Sequence, residues 1–117
     1  MHFPTFYTQM IGLSSFKETI LLIGKRPDVT IGKKSILIFD GFLNGYFTCS
    51  TLHNIANPYH DFPEFEKFDD FIKTKLGLEL STNLSGLYHL HLHLGRDEEA
   101  AFDCYFNWLN EFLDTPQ

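Results

Sequence analysis

The sequence predicts an all-α protein, a single compact bundle of about five to six helices spanning residues 1–117, and three observations predict it. Apolar residues recur at i, i+3, i+4 spacing in five segments, capping residues precede several of these, and glycine or proline follows. A length of 117 residues suits one core, and 44% hydrophobic with 21% charged residues are ordinary globular values. Phe is unusually frequent at 13, so the core is expected to be rich in rings.

The elements follow in order. Phe3, Phe6, Tyr7, Met10 and Ile11 repeat at helical spacing around Pro4 until Gly12, which predicts a short first helix. Ser15 and Glu18 form an S-x-x-E capping box ahead of Ile20, Leu21 and Ile23, with Gly24 and Pro27 as stop signals. The stretch from Lys25 to Lys34 mixes basic residues with Pro27, Asp28 and Gly32 and reads as a loop. Ser35 can cap a longer helix from about Ile36 to Asn54, whose inward side is Phe39, Phe42, Leu43, Tyr46, Phe47 and Ser50. Gly41 and Gly45 lie four apart on one edge of it, where a second helix could approach closely. Asn57, Pro58 and Asp61 make a turn.

Pro63 opens the next helix. Phe65, Phe68, Ile72 and Leu76 line one face, Glu66, Asp69, Asp70 and Lys73 line the other, and Gly77 stops it. The last helix has the clearest signature, with Asp97 as cap, Glu98 and Glu99 in the first turn, and Phe102, Tyr105, Phe106, Leu109, Phe112 and Leu113 in register. Ala101, Cys104 and Trp108 broaden its apolar arc, so it is expected to be the central helix. Between these two, Tyr88 to Leu94 alternates leucine with His89, His91 and His93, a period that suits a strand and an α+β alternative. Leu and His are poor strand formers, however, and Ser85 and Gly95 bracket the segment as a helix cap and stop, which favours helix.

Charge narrows the function. The net charge is −6, so a nucleic-acid binder is not expected, because phosphate neutralisation needs a basic surface. Residues 1–58 carry +2 and residues 59–117 carry −8, so the acidity belongs to the second half. No apolar run approaches the roughly 20 residues of a membrane span, and nothing at the N-terminus reads as a secretory signal, so a cytoplasmic protein is expected. Cys49 and Cys104 lie among apolar residues and read as buried thiols.

The chemistry-bearing patterns are few. On a strand the three histidines would share a face but stand about 7 Å apart, and zinc sites draw ligands from several elements. On a helix only His89 and His93 face together, so no metal site is expected. Cys49 and His53 could share a helix face, but nothing in the sequence supplies an orienting third group. Phosphate-binding loops and nucleophile elbows are absent, and neither a cofactor nor catalysis is called for. What remains is an acidic surface suited to a basic partner: Glu66, Asp69 and Asp70 as one patch, Glu98, Glu99 and Asp103 as a second. Tyr59, His60 and Phe62 stand just ahead of the first patch as candidate aromatic anchors.

Three segments carry a family resemblance: Arg26-Pro27 with Gly32 and Ser35, the Phe42 to Tyr46 stretch reading F-L-N-G-Y, and the acidic-aromatic ending from Asp97 to Leu113. With Phe62 to Phe71, they resemble small helical bacterial immunity proteins of toxin-immunity loci, including those of contact-dependent growth inhibition. The resemblance implies a cytoplasmic, stoichiometric inhibitor that binds the C-terminal domain of a cognate toxin, a basic nuclease, and occludes its active site or substrate cleft. An acidic regulatory or adaptor domain for another basic protein is the alternative, and an enzyme with a histidine-bound metal stands third.

Overall fold

The computed structural model describes residues 15–54 and 57–115, and these form seven helices with no strand among them. Five are the longer helices α1 (Phe16–Lys25), α3 (Ile36–Leu52), α5 (Pro63–Lys75), α6 (Gly86–His93) and α7 (Glu98–Asp114). The other two, α2 (Pro27–Thr30) and α4 (Pro58–Asp61), are single turns. The helix expected over Phe3 to Ile11 lies outside the described residues.

Local chemistry sets the helix starts. Ser15 Oγ accepts the Glu18 N–H at 2.9 Å, Ser35 Oγ the Ile38 N–H at 3.2 Å, Ser85 Oγ the Tyr88 N–H at 3.1 Å and Asp97 Oδ1 the Ala100 N–H at 3.0 Å. Each bond satisfies a backbone donor that a helix start leaves open. The capped Ser85 start settles the histidine segment as helix. Both single turns stand where the sequence read loop or turn. Pro27 and Pro58 occupy their first helical positions, where a fixed φ and a missing N–H cost nothing. α3 stops at Leu52, two residues before the expected end, with Asn54 just beyond at a φ of 54°.

As expected, α7 is the central helix, packed against α3, α5 and α6, and it buries Ala101, Phe102, Tyr105, Phe106, Leu109 and Phe112. The core is ring-rich. Phe39, fully buried, meets the rings of Phe102, Tyr105 and Phe106 at centroid distances of 6.4, 5.3 and 5.2 Å. Phe16 of α1 contacts Tyr46, Phe47, Phe62 and Phe65, joining α1 to α3, α5 and the residue between α4 and α5. Asp61 Oδ2 adds a polar tie by accepting the Lys17 N–H at the start of α1.

Close backbone approach occurs at other glycines than the sequence indicates. A Cβ on Gly41 or Gly45 would meet nothing within 4 Å, so no described helix uses that edge. At Gly24 a Cβ would lie 2.5 Å from Phe106 Cδ1, and at Gly86 it would lie 2.7 Å from the Asp69 carbonyl oxygen. Gly86 lets α6 start against α5. The thiols also depart from expectation. Cys49 is exposed on the outer side of α3, one position from buried Ser50, and Cys104 is half-buried, its pKa raised by burial. No described helix is long and apolar enough to cross a membrane.

Candidate functional site: an acidic groove

The first acidic patch is the rim of a concavity. α3 and α5 diverge to leave an open groove of about 640 Å³. Asp40, Leu43 and Phe47 stand on the α3 side and Glu66, Asp69 and Asp70 on the α5 side. Tyr59 closes one end, the start of α6 the other, and Tyr105 of α7 lies at the base. This explains why Leu43 and Phe47 of α3, expected on its inward side, are only half-buried: they face the groove, while Phe42 and Tyr46, also half-buried, pack against the core beside it.

Among the described residues the groove holds four carboxylates and two phenols, and no Lys, Arg or His lines it. Its electrostatics follow. Burial raises the Asp40 pKa above the usual carboxylate value. Tyr59 is raised by burial and then by Glu66 and Asp69. Tyr105 is raised well above the ordinary phenol value, first by burial and then by Asp69, Tyr59 and Asp40. Every shift disfavours added negative charge, as a partly desolvated site with an excess of anions requires.

The structure separates the expected site residues into those that are free and those already engaged. Glu66 and Asp70 are exposed and have no hydrogen-bond or ion-pair partner among the described residues. Asp69 is a brace. Its Oδ1 accepts the Gly86 N–H at 2.6 Å, and its Oδ2 stands 3.5 Å from Lys73 Nζ. Lys73, expected on the solvent face, is 6% exposed. It reaches back along the helix to donate to the carbonyl oxygens of Leu80 and Thr82, which pins the loop leading to α6. The long aliphatic stem of lysine permits such burial once its ammonium is satisfied.

The second patch is mostly consumed in joining helices. Glu98 Oε1 accepts from the hydroxyl of Ser35, the fully buried cap of α3, and Asp103 Oδ1 pairs with Lys34 Nζ at 3.2 Å. Glu99 is exposed and unpaired among the described residues. Among the anchors, Tyr59 lines the groove with its ring 5.0 Å from that of Phe47, and His60 is exposed. Phe62 is not available: it is fully buried, stacked 5.1 Å from Phe65.

Two groove residues escape sequence reasoning, Asp40 and Tyr105. The available signal was a carboxylate inside the apolar run Ile36 to Phe42, and a hydroxyl inside the apolar arc of the central helix. Elsewhere, His89 and His93 share a shallow depression with Leu76, Leu78 and Leu92, while His91 is 4% exposed. No group of three or more His, Cys, Asp or Glu among the described residues is arranged to hold a metal ion. Comparisons with family models, curated proteins and solved structures returned no match.

Proposed function

We propose that the chain is a binding protein of the immunity type, a stoichiometric inhibitor that occludes the active site or substrate cleft of a cognate basic nuclease toxin. One observation supports this above the others: the groove gathers Asp40, Glu66, Asp69 and Asp70 against aromatic walls, with no lining cation among the described residues. Such a surface draws a basic protein from a distance and offers apolar contact once it arrives. Glu66 and Asp70 contribute the accessible charge, Glu99 adds to it from α7, and Tyr59 supplies the aromatic contact. In this reading Asp69, Glu98 and Asp103 shape the surface and contribute field, while their direct bonds serve the fold.

The test is co-purification with the protein encoded immediately upstream, followed by a nuclease assay titrated with this chain. A complex in which one equivalent abolishes cleavage supports the reading. An upstream product that neither binds nor loses activity at equimolar ratio contradicts it.

A further inference from the structure

Tyr105 adds a second feature to the groove, independent of its carboxylates. The residue is 3% exposed, and its hydroxyl has no hydrogen-bond partner among the described residues. Its ring is fixed among Phe39, Phe68 and Phe106 at centroid distances of 5.3, 5.1 and 5.3 Å. The phenol forms part of the groove base, with Asp40, Tyr59 and Asp69 as its electrostatic neighbours. The side chain is buried and rigidly held while its hydroxyl opens on the groove without a partner among the described residues, which leaves the oxygen free to accept from an incoming donor.

We propose that the groove is a receptor for a single guanidinium, the side chain of an arginine projected by the partner protein, with the Tyr105 hydroxyl accepting at its base and Asp40, Glu66 and Asp70 accepting around it. The inference rests on reading the chain as a binder of a basic protein and goes further by naming the group that enters. Guanidinium fits better than ammonium for two reasons. Its five donors lie in a planar fork that can serve acceptors on opposite walls at once, and its flat face can lie against the rings of Tyr59 and Phe47. The groove's volume lies within the about 300–1,000 Å³ of ligand clefts, room for one such side chain and the backbone bearing it. The described residues supply no lining cation, and the only ammonium among them touching a groove carboxylate, that of Lys73, is bound to Asp69 and two carbonyls outside it.

The experiment needs no toxin. The full chain, labelled with ¹⁵N, is titrated with N-acetyl-arginine methylamide, and in parallel with the lysine analogue and the neutral citrulline analogue. The arginine amide should move the amide signals of Asn44, Thr48, Tyr59 and Ser85 with a dissociation constant on the order of millimolar, and citrulline should bind about tenfold more weakly or not at all. Asp40→Asn with Glu66→Gln should weaken binding about fivefold or more, and Tyr105→Phe, which keeps the ring packing, at least about threefold. Shifts spread over the whole acidic surface, binding of citrulline or of the lysine analogue as tight as that of the arginine amide, wild-type affinity in both variants, or no shift up to about 50 mM would each overturn the proposal. If the arginine amide fills the groove while the chain inhibits no toxin, the inhibitor reading fails and the receptor stands. Inhibition without groove shifts gives the reverse.

Discussion

Replacing Asp69 by alanine should unfold the protein more readily while leaving its neighbour Asp70 as a silent control. The Asp69 carboxylate does two jobs at once, accepting the Gly86 N–H at 2.6 Å and standing 3.5 Å from the Lys73 ammonium. Its side chain is 41% exposed, so the ion pair is screened and contributes about 0–1 kcal/mol. The hydrogen bond from Gly86 to a charged acceptor is the larger share, about 1.5–3 kcal/mol, because its loss leaves a part-buried N–H unsatisfied at the start of α6. The sum, about 1.5–4 kcal/mol, is a sizeable part of a stability of about 5–15 kcal/mol. For a domain of this size it lowers Tm by roughly 5–20 °C. Urea titration followed by circular dichroism should show a lower midpoint for Asp69→Ala at unchanged slope, and a change within about 0.5 kcal/mol for Asp70→Ala. Equal midpoints for the two variants would refute the brace. A charge reversal that includes Asp69 therefore confounds docking with folding, and Glu66 with Asp70 is the pair to reverse.

Gly86→Ala should cost about 1–3 kcal/mol by urea titration, because its Cβ would lie 2.7 Å from the Asp69 carbonyl oxygen, whereas Gly41→Ala, open on all sides, should stabilise α3 by up to about 1 kcal/mol. Ser35→Ala should cost about 1–2 kcal/mol in thermal unfolding, since it removes both the cap of α3 and the donor to Glu98. Tyr105 gives a pH prediction with a definite sign. Its folded pKa is raised, so the unfolded chain loses the phenolic proton first; stability from this group is intact below about pH 10 and falls as pH rises beyond it. Tyr105→Phe should therefore lose less stability than wild type between about pH 8 and pH 11.

Much of the fold was legible in the sequence because its signals are local. Ser15, Ser35, Ser85 and Asp97 cap as read, Gly77 and Gly95 end their helices at positive φ, and the apolar stripe of α7 made it the central helix. The departures are tertiary. Lys73 shares a face with Glu66 and Asp70 on a helical wheel, yet the loop carbonyls of Leu80 and Thr82 draw it inward. Cys49 sits in an apolar run, but it falls on the outer side of α3, one position from the buried Ser50. The acidic residues of α5 were legible as a patch. Their arrangement around a groove was not, because it depends on where α3 and α5 part and on Tyr105, some 35 residues further along the chain.

The central claim, that the acidic groove receives a basic toxin, is tested most directly by the association rate of the complex. Stopped-flow mixing of the upstream-encoded protein with wild type and with Glu66→Lys plus Asp70→Lys, at low and at moderate salt, gives the comparison. The two charges are exposed and outside the fold's hydrogen bonds, so the double reversal should keep the helical spectrum and slow association about tenfold or more at low salt. Salt should narrow that gap, since the screening length is about 10 Å at 0.1 M. A correctly folded double variant that associates and protects as fast as wild type at low salt would contradict the account.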